Sequence, residues 1–151
     1  MTKIKVLNII YETMADGPGL RNSVYVAGCN HKCPGCHNPE SWDFNQGSEW
    51  DPIELAKHLL QNHYCDVTFS GGDPIYQIKP LLECCKYIKE NSSKNIWVYT
   101  GFTHNALINM ELYEELSKYV DTFVTEPFIK ELRDTSLKFM GSSNQKIINT
   151  K

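Results

Sequence analysis

The chain has 151 residues, of which 41% are hydrophobic and 22% charged, and it carries a net charge of −3. That length fits one domain, 1–151, able to bury its own core without disulfides or a structural metal, and the mild acidity without like-charge blocks gives no case for a nucleic-acid or anionic-membrane partner. No apolar stretch approaches the roughly 20 residues of a membrane span, and the first apolar run is broken by Lys5 and Asn8, unlike a signal peptide, so a cytoplasmic setting is expected.

The first expected element is a strand over residues 4–11. Residues 14–20 come next as a loop, because Asp16-Gly17-Pro18-Gly19 cannot continue regular structure. Residues 22–27, Asn-Ser-Val-Tyr-Val-Ala, read as a second strand. It runs into a long loop over residues 28–47, rich in Gly, Pro and Asn. Asp51-Pro52-Ile53-Glu54 is a helix start, with Asp as cap and Pro in the first turn, and the helix is expected to reach residue 62. A short strand over 66–70 ends in Gly71-Gly72-Asp73-Pro74. Then come a helix over 78–90, a strand over 96–100 and a helix over 105–118. The last helix places Ile108, Leu112 and Leu116 on one stripe. A strand is expected at 120–125 and a final one at 146–149. Strand–helix–strand alternation argues for a mostly parallel sheet with helices outside. The units are too few for a closed eight-stranded barrel, which takes about 250 residues. The expected fold is therefore α/β, an open partial (β/α) barrel.

The six cysteines are unevenly spread. Three fall in the run Gly28-Cys29-Asn30-His31-Lys32-Cys33-Pro34-Gly35-Cys36-His37-Asn38-Pro39. Three thiolates on one short loop can converge on one inorganic centre, and thiolates are the usual ligands of iron–sulfur clusters. Three ligands on a four-iron cluster leave one iron open to a substrate or cofactor. Zinc held by the three cysteines with His31 or His37 is the alternative that this spacing leaves standing, and with it a non-catalytic, zinc-stabilised binding module.

Beyond the cysteines the resemblance becomes specific. Asp16-Gly17-Pro18-Gly19-Leu20-Arg21, then a strand, the three cysteines and His37-Asn38-Pro39-Glu40-Ser41-Trp42-Asp43 resemble the glycyl-radical-enzyme activases of the radical SAM superfamily, a group that includes the formate C-acetyltransferase activating enzymes. Gly71-Gly72-Asp73-Pro74 is similar to that superfamily's motif for the methionine end of S-adenosylmethionine (SAM). The tail Gly141-Ser142-Ser143-Asn144-Gln145-Lys146 resembles that of the small activases acting on anaerobic ribonucleoside-triphosphate reductase. The resemblance implies a radical SAM barrel and one [4Fe–4S] cluster on Cys29, Cys33 and Cys36, with SAM chelating the fourth iron. It implies that Gly71, Gly72 and Asp73 hold SAM's methionine end, and Gly35, Cys36 and His37 its adenosine end. The implied reaction is one-electron cleavage of SAM to methionine and a 5′-deoxyadenosyl radical, which takes hydrogen from a glycine of the reductase. The implied partners are that reductase and an electron donor such as flavodoxin. Another small radical SAM enzyme with a different target is the neighbouring reading. One departure stands out: where the family often has Asp-Gly, this chain has Thr125-Glu126 before Pro127-Phe128.

Outside these motifs, Cys65, Cys84 and Cys85 read as ordinary buried cysteines. Cys84 and Cys85 are adjacent on a helix, about 100° apart, and point in different directions, which favours this reading over a second cluster. His31 and His37 read as hydrogen-bonding neighbours of the cluster or as exposed. Asp16 and Arg21 either pair or are solvated. Asp73 either binds SAM or caps the next turn.

Overall fold

The computed structural model describes residues 2–29, 31, 43 and 45–150. Seven strands form one open sheet: β1 (Ile4–Thr13), β2 (Arg21–Val26), β3 (Ser48–Trp50), β4 (Asp66–Gly71), β5 (Ile96–Tyr99), β6 (Thr122–Thr125) and β7 (Lys146–Asn149). Their order is β3-β1-β2-β4-β5-β6-β7. The four central strands β2, β4, β5 and β6 are parallel, in register Tyr25↔Ser70, Phe69↔Val98 and Tyr99↔Val124. The outer pairings β3–β1, β1–β2 and β6–β7 are antiparallel, so the expected parallel core is present inside a mixed sheet. The β1–β2 pairing is a consequence of chain length. Residues 14–20 are too few for the crossover that a parallel neighbour requires.

Among the described residues four α-helices accompany the sheet: α1 (Pro52–Leu60), α2 (Ile78–Asn91), α3 (His104–Ile108) and α4 (Tyr113–Ser117). α1 begins as the sequence dictates. Asp51 accepts from the amides of Ile53 and Glu54, and Pro52 fills the first turn, where no amide hydrogen is needed. Each parallel crossover moves one strand further in the same direction. Right-handed connections then set all the helices on one face, and α2 packs between α1 and α4. The core lies between that face and the helices. Val24, Val26, Val67, Phe69, Ile96, Val98 and Phe123 meet Leu55, Leu59, Leu81, Ile88, Leu107 and Leu116.

The helix expected over 105–118 is broken. Leu107, Tyr113 and Leu116 are all buried, whereas Ile108, expected on the stripe, is 55% exposed. On one continuous helix Leu107 and Leu116 would lie about 180° apart. Breaking the helix between α3 and α4 lets both face the core.

Strand alternation sends a second set of side chains to the opposite face. Arg21, Ser23 and Tyr25 of β2 lie there beside Asp66, Thr68 and Ser70 of β4 and Trp97 and Tyr99 of β5. Arg21 is fully buried on this face. It donates to Thr68 Oγ1 at 2.8 Å, Pro18 O at 2.8 Å, Val67 O at 3.0 Å and Asn95 Oδ1 at 2.8 Å. Its guanidinium also lies 5.7 Å from the Trp97 ring centroid. Burial lowers its pKa. Arg21 therefore neither pairs with Asp16 nor reaches solvent. It holds the loop of residues 14–20 through the Pro18 carbonyl, while Asp16 accepts from Tyr25 Oη and, through its carbonyl, from Thr68.

Candidate metal centre

Ligand sites in open parallel sheets form at the carboxyl ends of the strands, and the motif residues gather at that edge. Cys29 comes after β2, Gly72 and Asp73 after β4, Thr100 and Gly101 after β5, and Glu126 after β6. Two hydrogen bonds tie the first two ends together. Gly72 N donates to Val26 O and Asp73 N to Gly28 O, both at 2.7 Å. The approach explains the glycine pair. A Cβ at Gly72 would meet Gly28 O at 2.5 Å, and one at Gly71 would meet Val26 N at 2.5 Å, with φ already at 99°. The space that these glycines leave empty is filled by the backbone that leads into Cys29.

Asp73 is fully buried. Its Oδ1 accepts from Ile75 N at 3.0 Å, capping the short 3₁₀ turn Pro74–Gln77. Its Oδ2 accepts from Thr100 Oγ1 and Gly101 N, each at 2.8 Å, and lies 2.6 Å from His31 Nε2. Asp73 therefore caps the turn. His31 sits against Phe102 edge-on at 4.6 Å and Tyr76 at 5.6 Å. Ligand atoms of Cys29, His31 and Asp73 all lie within 4.8 Å of one another. The part played by Thr100-Gly101-Phe102 was missed from the sequence. The Thr-Gly pair closing a strand at the same edge was the available signal.

Cys33, Cys36, Gly35 and His37 lie outside the described residues. What is described fits a thiolate-bound centre in two respects. Cys29 is buried at the rim where the motifs meet. The distal cysteines are in no position to compete, since Cys65, Cys84 and Cys85 are enclosed in the core. Burial also raises all three thiol pKa values, which disfavours the thiolate that a metal needs. On the face opposite the core helices, Ser23 Oγ and Tyr99 Oη are buried with no hydrogen-bond partner among the described residues.

The departure at residue 126 also has a geometric account. Glu126 adopts φ 80°, a region favoured by glycine, which is the residue that the resemblance leads one to expect. Its Oε2 accepts from His104 N at 2.8 Å at the start of α3 and from Thr125 Oγ1 at 2.9 Å. The tail motif anchors to the same point. Gln145 Nε2 donates to Glu126 O at 3.1 Å and Asn144 Nδ2 to Pro127 O at 2.8 Å.

Residues 15–148 match the family model of the 4Fe-4S single cluster domain. Curated relatives match over most of their length. The anaerobic ribonucleoside-triphosphate reductase-activating protein of Haemophilus influenzae is 34% identical over 140 residues, covering 86% of this chain and 88% of the relative. Its namesake in Escherichia coli K12 is 31% identical, covering 87% and 90%. The one in Enterobacteria phage T4 is 32% identical, covering 87% and 85%. Matched over residues 15–148 by the domain model and over most of the relatives' own length, this chain belongs to the family of anaerobic ribonucleoside-triphosphate reductase-activating proteins and carries its 4Fe-4S domain.

Proposed function

We propose that this chain holds one [4Fe–4S] cluster on Cys29, Cys33 and Cys36, binds SAM at the open iron, and installs a glycyl radical on an anaerobic ribonucleoside-triphosphate reductase. The observation that carries this reading is the convergence of Cys29 with the Gly71-Gly72-Asp73 turn at one end of four parallel strands. The finer fold that accompanies it is the partial barrel of radical SAM enzymes, with the cluster at its carboxyl rim and a cytoplasmic setting.

When bound, the cluster and SAM supply the one-electron chemistry that ends in hydrogen abstraction. The chain's own residues bind, orient and shield. Gly72 and Gly28 pass close enough to key β4 to β2, so the turn that faces SAM and the loop that carries Cys29 keep one relative position. Gly71 and Gly72 are assigned to SAM's methionine end, the Gly72 amide itself being committed to Val26 O, and Asp73 serves by holding their turn rather than by offering its buried carboxylate. Gly35, Cys36 and His37 are assigned to the adenosine end. Among the described residues the Ser23 and Tyr99 hydroxyls are buried without a partner on the sheet face opposite the core helices, which suits a polar ligand lying against that face. Flavodoxin is the proposed electron donor. The reductase covers the exposed side of the site and keeps water and competing hydrogen donors out.

The test is electron paramagnetic resonance on reduced, cluster-loaded chain mixed with SAM and a reductase whose target glycine carries deuterium at Cα. Direct abstraction collapses the hydrogen-derived doublet and moves deuterium into 5′-deoxyadenosine. A radical indifferent to the label, or deoxyadenosine without deuterium, rejects it. A colourless protein with one zinc and no iron after anaerobic purification rejects the cluster itself.

A further inference from the structure

Four residues from two separate stretches of chain, Asp73, Tyr76, Gly101 and Phe102, meet the imidazole of His31, and Thr100 supports them through Asp73. Asp73 Oδ2 lies 2.6 Å from Nε2. That carboxylate oxygen is itself fixed by Thr100 Oγ1 and Gly101 N. Tyr76 and Phe102 flank the ring, and they contact each other at 5.1 Å. Gly101 supplies the room. A Cβ there would lie 2.7 Å from His31 Cδ2 and 3.0 Å from both Cγ and Nε2. The φ of Gly101 lies outside the left-handed region, so the bare Cα answers to the ring and not to the backbone. The socket is thus shaped to one side chain.

That side chain stands two residues after Cys29 and two before Cys33. Its place along the loop gives the contact its leverage. A loop carrying thiolates has many conformations, and each iron bond must be made against that entropy. Locking the ring between the ends of β4 and β5 fixes the chain at His31, midway in sequence between Cys29 and Cys33. Nε2 is committed to a saturated, fully buried carboxylate, and with three cysteines and SAM assigned to the four irons the cluster does not call on the ring as a ligand.

We propose that His31 is a positioning residue: its imidazole, seated in the Asp73–Thr100–Gly101–Phe102–Tyr76 socket, sets the geometry of the cysteine loop without ligating the metal. The inference rests on the cluster assignment above. Partners that orient the residues around a metal site typically contribute about 10–100-fold to its affinity, so the effect is graded, unlike the loss of a ligand.

The experiment measures how fast cluster-loaded protein loses iron to a chelator, together with the g-values of the reduced cluster. His31→Ala is expected to speed iron loss by about 10-fold or more and to shift the g-values. His31→Gln, whose side-chain amide nitrogen can still donate to Asp73, is expected to restore most of both. Gly101→Ala pushes on the ring from β5's end and leaves the sequence of the cysteine loop unchanged, and it is expected to reproduce the His31→Ala effect. In a His31→Ala background Gly101→Ala is expected to cost nothing, because the atoms it would strike are gone. Additive effects of the two substitutions, or iron loss unchanged in His31→Ala, overturn the proposal. So does complete failure of His31→Ala to bind the cluster with no rescue by Gln, which would make His31 a ligand. Should the wild-type chain take up no cluster, the functional reading fails by itself. The lock is then read in cluster-free protein from the labelling rate of Cys29 by a thiol reagent, mapped by mass spectrometry. His31→Ala must accelerate it, and an unchanged rate overturns the proposal there too.

Discussion

The two ends of the parallel sheet each bury an ionisable side chain, and they use it differently. At the amino end, Arg21 is enclosed and satisfied by neutral acceptors: the Thr68 hydroxyl, the Asn95 amide and the carbonyls of Pro18 and Val67. At the carboxyl end, Asp73 is enclosed and satisfied by donors from three segments, one of them the cysteine loop. Both are motif residues and both are saturated. Of the two, Asp73 couples the sheet to the stretch of chain proposed to carry the metal ligands. Saturation with hydrogen bonds therefore does not separate a structural residue from one that serves a site. What separates them is which piece of chain is tied down.

The largest expected contrast concerns the cysteines. Cys29→Ala, Cys33→Ala and Cys36→Ala should each abolish cluster binding, while Cys84→Ala and Cys85→Ala should keep full iron content and lose only core packing. Iron and sulfide analysis of purified variants decides this. Retention in any of the first three, with loss in a distal variant, breaks the assignment.

Next comes Gly72→Ala. Its Cβ would meet Gly28 O at 2.5 Å, so the backbone before Cys29 has to move. Both cluster retention and SAM affinity should fall, rather than SAM affinity alone. Titration of SAM into variant protein with its iron content measured in parallel separates the two. Intact iron with weakened SAM binding would mean that the turn and the loop are uncoupled.

Arg21→Ala sharpens the comparison from the other end. Removing the guanidinium strands several buried acceptors, at a cost of about 3 kcal/mol or more. The thermal midpoint should drop by many degrees, while iron per folded molecule stays unchanged. A fall in iron content of the folded fraction would show that the amino end also reaches the site.

A smaller effect is expected from pH. Burial raises the thiol pKa of Cys84 and Cys85 and the phenol pKa of Tyr99 above their ordinary values of 9.0 and 10.0. The folded chain holds these protons more tightly than the unfolded chain does. Their contribution is complete below the ordinary values and declines as pH rises past about 9. Denaturant midpoints at pH 8 and 10 should show the fall, and Cys85→Ala should flatten it. Smallest of all is Glu126→Gly. It relieves a left-handed backbone but removes the carboxylate that meets the His104 amide, so the net change should stay within about 1 kcal/mol.

The elements with a local physical cause were legible in the sequence. Asp51-Pro52 fixed the start of α1, and the β-branched run before Gly71 marked β4. The break between α3 and α4 was not legible, because helical periodicity alone cannot tell that Leu107 and Leu116 share one core. The three-residue β3 carries too little pattern to announce itself, and it exists by pairing with Ile4–Val6. At the site, the glycine pair was found through its motif, but its partner was not. Nothing in Gly71-Gly72 says that the carbonyl of Gly28 will fill the space. The choice for Asp73 between ligand and cap rested on a neighbour, Thr100-Gly101, that only folding brings near.

The uneven lengths of β1 and β3 carry a consequence for solubility. β3 covers only Ile4–Val6, and among the described residues no strand pairs with the outer edge of β1 beyond that point. Ile10 and Tyr11 are exposed there, at 43% and 53%. A flat edge of that composition invites a neighbouring molecule to add a strand. This one is not flat. The β1–β2 register slips between Val6 and Asn8 and again between Ile10 and Thr13, and Glu12 turns the backbone to φ 55°. An incoming strand needs an unbroken ruler of amides and carbonyls, and these irregularities interrupt it twice. The same distortions that make β1 a poor strand leave it a poor seed for aggregation.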